Sequence, residues 1–255
     1  MLNLQGKVAA VFGLANKRSI AWGIAQKLHE AGAHLAISYQ NERMKAEAEG
    51  LILDLPGAEP FQCDVSNDAE IEQVFAKMKE SYGKLDILVH CIAYAPAEDL
   101  KNDFLQTTRD GFRIAHDVSV YSLIALCRGA APLMTEGGSV ITLSYYGAEK
   151  VVPHYKVMGV AKAALEATVR YLAWDVGKQN IRVNAISAGP IRTLAARGIS
   201  SLGEMLKYHA DRAPLHRNTE QDEVGRTAVY LASDLASGVT GETIYVDSGY
   251  NIMGF

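Results

Sequence analysis

In the stretch YKVMGVAK, Tyr155 and Lys162 stand seven positions apart. On a continuous helix that is close to two turns, so a phenol and an ammonium would share one face with Cα atoms about 10 Å apart. A phenol and an ammonium on one face could act together on a ligand. Taken alone, the pair fits a surface tyrosine beside a solvated lysine better, and the rest of the chain has to decide. A second stretch, GLANKRSIAWG from Gly13 to Gly23, follows an apolar run and opens a helical one. A glycine there lets the backbone approach a diphosphate, and the helix start offers unpaired N–H groups and a positive dipole end. Ser19 is placed to cap that helix or to bond a phosphate oxygen. The spacing is not GxGxxG, and by itself it would also fit an ordinary strand-turn-helix.

Positioning these groups requires a frame, and the chain alternates short apolar or β-branched runs with longer helical ones. KVAAVF, HLAISY, the run into Cys63, LDILVHCIA, SVITLS, IRVNAIS and ETIYVD read as seven strands separated by helices. That alternation implies a parallel sheet covered on both faces with right-handed crossovers, an α/β, doubly wound Rossmann fold. With no linker, low-complexity tract or repeat, residues 1–255 read as one dinucleotide-binding and catalytic domain. Ligands of such folds sit beyond the C-terminal ends of the strands. The irregular stretch AGPIRTLAARGISSLGEML follows the sixth strand; a structural connection could be equally long, and with a ligand beneath it a substrate lid is expected at about 190–212. After strand two stands Gln40, where an NAD-binding unit usually has an acidic residue; Gln40 can bond ribose hydroxyls without repelling a phosphate, and Arg43 is near enough in sequence to favour NADPH. Asp64, after strand three, is placed for the adenine amine or as a cap for the next helix.

The chain has 255 residues, 49% of them hydrophobic and 21% charged, with a formal net charge of -4. This is ordinary for a globular domain and argues against a nucleic-acid binder, which would present a net basic face. The cysteines Cys63, Cys91 and Cys127 are widely spaced with no CxxC pair, so buried reduced thiols are expected and no zinc site. His90 and His116 read as packed residues, and no HExxH or carboxylate cluster suggests a metal. The start MLNLQGKVAAVFG lacks a basic region followed by a long apolar one, and no run approaches a membrane span. A cytoplasmic protein is expected.

The βα turn, CDV after strand three, the helix with Tyr155 and Lys162, and VNAISAGPIRT after strand six resemble the short-chain dehydrogenase/reductase superfamily. Its ketone reductases carry TGxxxGxG, NNAG and Tyr-x3-Lys. Here stand GLANKRSIAWG, HCIAYAP and Tyr-x6-Lys, which with LSYYGAEK, HDVSVYSL and SAGPIRTLAA resemble the divergent branch of enoyl-[acyl-carrier-protein] reductases of bacterial fatty acid synthesis. The resemblance covers almost the whole chain. It implies hydride transfer from NADH to C3 of a trans-2-enoyl thioester, with NADPH left open, and acyl carrier protein as the partner that presents the thioester. Tyr155 would donate to the thioester carbonyl, Lys162 would hold the nicotinamide ribose, and Tyr145 would wall the substrate pocket or act as a second donor, although packing alone would also place it there.

By the same resemblance the cofactor is held by Gly13, Ser19, Ile20, Gln40, Asp64, Val65, Ile92, Ala93, Lys162, Ile191, Thr193, Leu194 and Ala195. The acyl chain meets Ala93, Ala95, Tyr145, Tyr155, Met158, Ala195 and Ile199, with Leu194 and Met205 as further lid cover. The methyl of Ala93, where many of the branch have glycine, would narrow the pocket against flat inhibitors of the triclosan kind. Three extra residues between tyrosine and lysine add about 4.5 Å of helix rise, enough to move the phenol toward an oxygen farther from the nicotinamide. Arg192, Arg197, Lys207 and Arg212 are cations available to an acidic carrier protein. A homotetramer is implied, with the helices around Arg109 to Arg128 and Tyr155 to Gly177 between subunits. The rival readings are a carbonyl (3-ketoacyl) reductase of the same superfamily and a non-catalytic dinucleotide sensor.

Overall fold

A strand covered on both faces reads as an unbroken apolar run, and VAAVF is such a run. It forms β1 (Val8–Phe12), buried along its whole length. Val8, Ala10 and Phe12 enter one core while Ala9 and Val11 enter the other, the period-two alternation of a pleated strand. The computed structural model describes residues 3–193 and 202–254. In chain order β1 is followed by α1 (Ile20–Glu30), β2 (His34–Tyr39), α2 (Glu42–Ile52), β3 (Glu59–Gln62), α3 (Asp68–Tyr82) and β4 (Ile87–His90). Then come α4 (Ala97–Lys101), α5 (Arg109–His116), α6 (Ser122–Ala130), β5 (Gly138–Ser144), α7 (Val157–Val176), β6 (Ile181–Ala188), α8 (Leu202–Arg212), α9 (Gln221–Ala232) and β7 (Thr243–Val246).

The seven strands form one parallel sheet in the order β3-β2-β1-β4-β5-β6-β7, as the alternation of runs implies. The order reverses between β1 and β4, where β1 pairs with β2 through Ala10 and Ala36 and with β4 through Ala10 and Leu88. One core lies between the sheet and α3, α6 and α7; the other lies under α1, α2 and α9. Asp86 ties the entry of β4 to β1 by accepting from Val8 N at 2.9 Å and Lys7 Nζ at 3.0 Å. Asn67 caps α3 by accepting from Ala69 N, and Gly83 ends it in the left-handed conformation.

Two expected helices differ in detail. The one foreseen from Arg109 to Arg128 is split by a wide π turn, Asp117–Tyr121, between α5 and α6. The one foreseen to begin at Tyr155 begins at Val157, because Lys156 has φ +44°, outside the helical region, and its ammonium bonds the carbonyls of Lys101 and Asn102. Tyr155 therefore stands in the turn before α7. The phenol and Lys162 do not share one continuous helix, so the spacing cannot be read as helix rise.

Helices α1 and α9 meet through glycine. A Cβ on Gly225 would lie 2.6 Å from the carbonyl oxygen of Gly23, a contact no side chain could tolerate. Elsewhere in a helix, glycine to alanine adds about 1 kcal/mol of stability; at this crossing, overpacking at about 1–3 kcal/mol outweighs that gain. Gly225→Ala is expected to lower the melting temperature, and a rise on thermal denaturation would show that the helices do not meet there.

Candidate active site

The loops after β1, β2, β3, β4, β5 and β6 surround a cavity of about 1240 Å³, lined largely by apolar atoms. Gly13 is at its floor. With φ +100° and a Cβ position only 2.2 Å from the carbonyl oxygen of Cys91, no other residue fits that turn. Ser19 stands at the N-cap of α1 and lines the cavity with Ile20, but its hydroxyl donates to Asn16 O at 2.5 Å rather than capping the helix. The first-turn N–H groups of α1 thus lack a side-chain cap at the edge of the cavity, an arrangement suited to an anion.

Gln40, Asp64 and Val65 line the same cavity beyond β2 and β3. Gln40 Nε2 donates to Asp64 Oδ2 at 3.2 Å, and Asp64 Oδ1 accepts from Ser66 N and Ser66 Oγ. Burial pushes the Asp64 carboxyl up, but these donors outweigh it and hold the group below its ordinary value. The helix cap that Asp64 was one candidate for belongs to Asn67. Ile92, Ala93 and Ala95 line the cavity after β4, Tyr145 after β5, and Ile191 and Thr193 after β6, with Tyr155, Met158 and Lys162 from the α7 side. Leu194, Ala195, Ile199 and Arg197 lie outside the described residues.

Two phenols and an ammonium line this cavity. Gly147 and Gly159 make room for Tyr155: a Cβ on Gly147 would come within 2.5 Å of its ring, and one on Gly159 within 2.9 Å of Gly147 O. The ring meets Tyr145 edge-on, centroids 4.9 Å apart at 73°. Burial pushes the Tyr155 phenol well above its ordinary value, with the neighbouring Tyr145 adding to the effect. Burial likewise pushes Tyr145 up to about 12. Both are therefore protonated at neutral pH and able to donate, and Tyr145 Oη donates to Met205 Sδ at 3.5 Å. Lys162 is only 5% exposed, and its Nζ donates to Leu143 O at 2.6 Å. Burial pushes its pKa down to about 8 against the pull of Cys91 and Glu166, so the cation persists at neutral pH. An ammonium has three donors, and one is used on Leu143, leaving two for a ligand's hydroxyls.

Behind these side chains, buried polar groups are satisfied in pairs. Ser144 Oγ donates to Glu166 Oε1 at 2.5 Å. His90 contacts Thr142 Oγ1 and Ser122 Oγ, each at 2.8 Å. Because Ser122 Oγ donates its proton to Val118 O at 2.6 Å, His90 Nε2 must be the donor to Ser122 and Nδ1 the acceptor from Thr142. Burial, then Lys162, pushes His90 down to about 3. It is a neutral packed histidine, as expected; His116 is only partly buried, its ring stacked on Phe112 and its Nδ1 2.8 Å from Phe112 O. Ser119 Oγ, buried in the π turn, accepts from Tyr94 N and donates to Tyr94 O, fixing the loop that carries Ile92 and Ala93. Burial pushes the thiol of Cys91 up to about 12, so it is a wall of the cavity and no nucleophile. All three cysteines are free.

The sequence reading passes over Met44, Tyr94, Leu100, Ile114, Val118 and Leu202, which also line the cavity. The i, i+4 spacing of Ile114 and Val118 marks an apolar face, but nothing local says what that face meets.

Residues 13–251 match the family described as Enoyl-(Acyl carrier protein) reductase. The chain belongs to this family. As an enoyl-(acyl carrier protein) reductase it is 56% identical, over the full length of both chains, to an enoyl-[acyl-carrier-protein] reductase [NADH] of Nostoc sp.. It is 51% identical to an enoyl-[acyl-carrier-protein] reductase [NADPH] of Staphylococcus aureus, covering 98% of this chain and 99% of that one. A crystal structure of the Bacillus cereus enoyl-acyl carrier protein reductase with NADP+ and indole naphthyridinone superposes with a TM-score of 0.98 at 53% identity, covering both chains fully. The reductase fold and its membership thus agree with the motifs.

The buried cation gives a test of this geometry. The Lys162 pKa is depressed from 10.5 to about 8, so the unfolded chain binds the extra proton between those values and the wild-type protein gains stability as pH rises through that window. Below it the cost of burying the charge is fully present. Lys162→Met should therefore be more stable than wild type at pH 7, by about 2 kcal/mol once the lost hydrogen bond is counted. The advantage should shrink between about pH 8 and 10.5 in denaturant titrations; a difference that does not vary with pH would contradict the assignment.

Proposed function

We propose that the protein reduces the C2–C3 double bond of trans-2-enoyl thioesters carried on acyl carrier protein, with NADH as hydride donor, the last reduction of the fatty acid elongation cycle. The observation that carries this reading is the pair of neutral phenols, Tyr145 and Tyr155, set edge to face and lining the same large, mostly apolar cavity as the Lys162 ammonium. The dinucleotide fits the groups present: the glycine floor at Gly13, the first turn of α1 with Ser19 and Ile20, and Gln40 with Asp64 and Val65 for the adenosine end. Ile92, Ala93, Ile191, Thr193 and Lys162 hold the nicotinamide end. When bound, it supplies hydride to C3.

Tyr155 donates its phenolic hydrogen bond to the thioester carbonyl, where negative charge collects. A donor of this kind is worth about 3 kcal/mol, roughly 100-fold in rate. Lys162 keeps the site positive and holds ribose hydroxyls with the donors that Leu143 leaves free. Tyr145 walls the reacting carbon and steadies the Tyr155 ring, and its bond to Met205 links it to α8. Ala93, Ala95 and Met158 line the acyl side, and the stretch at about 190–212 acts as the substrate lid within one catalytic domain spanning residues 1–255. Gln40 bonded to Asp64 suits a ribose with free hydroxyls, which favours NADH, while Arg43 leaves NADPH usable.

The protein works in the cytoplasm as a homotetramer. No helix among the described residues is long and apolar enough to cross a membrane. On α7, Tyr171 is 79% and Trp174 87% exposed, while Phe112 and Tyr121 stand out from the α5 to α6 segment; these faces suit burial against other copies. Lys207 and Arg192 are exposed near the lid and suit an acidic carrier protein.

Loss of nicotinamide absorbance is the assay, run with crotonyl, dodecenoyl and acetoacetyl thioesters and with NADH and NADPH in parallel. Oxidation of NADH by the enoyl thioesters alone is expected; reduction of acetoacetyl thioester instead would replace this reading with a ketone reductase. For the assembly, light scattering after Trp174→Glu should report species smaller than the wild-type tetramer, and a wild-type monomer would refute the proposed interface.

A further inference from the structure

Helix α8 presents one continuous stripe to the protein. Leu202, Met205, Leu206 and His209 follow the i, i+3, i+4, i+7 pattern of a single helix face. Leu202 and Met205 line the cavity, and Leu206 and His209 are buried. The last member of an otherwise apolar stripe is thus an imidazole, only 4% exposed.

His209 is seated by packing. Its ring stacks on Tyr250 with centroids 4.7 Å apart at 24°. Its Nε2 lies 3.2 Å from the point where a Cβ on Gly189 would stand, and Thr219 Oγ1 lies 2.6 Å from that point. Gly189 itself lines the cavity and donates its N–H to Val246 O at 2.8 Å. Neither imidazole nitrogen has a hydrogen-bond partner, and the same holds for Thr219 Oγ1 and Asn218 Oδ1. A buried imidazole in such surroundings is neutral, since an imidazolium needs acceptors for two N–H groups.

The acceptors near it, the Asn218 side chain and the Asp247 backbone, favour the charged form without offsetting burial. From the loop after β7, the Asp247 carboxylate is committed to Gly249 N at 3.0 Å and Asn251 N at 2.7 Å. From α8 itself, the Arg212 guanidinium lies 3.6 Å over the Tyr208 ring, a cation on the same side of the helix end, and Tyr208 in turn meets Tyr250. From the segment before α9 comes Asn218, and from the end of β6 only Gly189. Burial prevails over the pull of Asp247 and of the Asn218 side chain and holds the His209 pKa below its ordinary 6.5.

We propose that His209 is a positioning residue: in its neutral form it seats the last turn of α8 against Gly189 and keeps Leu202 and Met205 over the acyl end of the cavity, and its protonation unseats that turn. This rests on the reading of α8 as part of the substrate lid. The consequence is selective. Acid weakens the hold on the acyl chain and leaves the dinucleotide end, built on α1, Gln40 and Asp64, as it was.

The test compares wild type with His209→Phe, which keeps the stacking ring and cannot titrate. With dodecenoyl thioester, the wild-type KM should rise at least about threefold between about pH 7.5 and 5.5 while the KM for NADH stays level, and the variant's acyl KM should be flat. Parallel profiles in the two proteins, or a wild-type rise in the NADH KM equal to that for the thioester, would overturn the proposal. A second readout needs no turnover, so it separates failure of this proposal from failure of the enoyl reductase reading. Because the folded pKa is depressed, wild type should lose stability relative to His209→Phe as pH falls below 6.5 in denaturant titrations. An equal pH dependence of the two would count against the proposal whatever the enzyme reduces.

Discussion

The ammonium of Lys162, buried against the carbonyl of Leu143, is the interaction on which the rest of the site depends. A cation in a region poor in water costs several kcal/mol unless something nearby offsets it. Here one backbone acceptor at the end of β5 and the more distant carboxyl of Glu166 do only part of that, which is why burial still draws the lysine down to about 8. On the proposed reading the remaining deficit favours binding, because hydroxyls that approach the other two donors would meet a group already stripped of water. The parallel sheet makes this possible, because it delivers the C-terminal ends of β1, β4, β5 and β6 to one side.

The same dry surroundings set the state of every neighbour. Tyr145 and Tyr155 are held as neutral phenols, so both arrive as donors. His90, under the same burial and beside the same cation, is kept neutral and bonded on both nitrogens, which removes it as a competing base. Cys91 is kept as a thiol. The chemistry left available is hydrogen-bond donation toward an oxygen that acquires charge, and an apolar cavity for what is attached to it. Close approach at Gly147 and Gly159 seats the Tyr155 ring, while the Leu143 carbonyl holds Lys162.

Much of this was legible in the sequence, and what was not has a common cause. The short, unbroken apolar and β-branched runs alternating with helical ones were sufficient for the strands and their parallel arrangement, because buried parallel strands leave few other readings of VAAVF or SVITLS. Every site residue expected from the motifs that lies among the described residues lines one cavity, since strand order brings all those loop positions to the same edge. The start of α7 at Val157 is not encoded locally: Lys156 lies outside the helical region and its ammonium bonds the carbonyls of Lys101 and Asn102, some 55 residues earlier in the chain. The π turn at Asp117–Tyr121, the Ser144 to Glu166 bond and the seat of His209 also arise from contacts between distant segments. No local spacing encodes them.

The central claim is that a neutral buried phenol, Tyr155, stabilises the charge that hydride delivery places on the thioester oxygen. The most direct measurement is the single-turnover rate of NADH oxidation by dodecenoyl thioester in wild type and Tyr155→Phe, with cofactor affinity measured separately. The account predicts a fall of roughly 100-fold in the chemical step with cofactor affinity unchanged. An undiminished rate in the phenylalanine variant would contradict it and would move the oxyanion donor to another group.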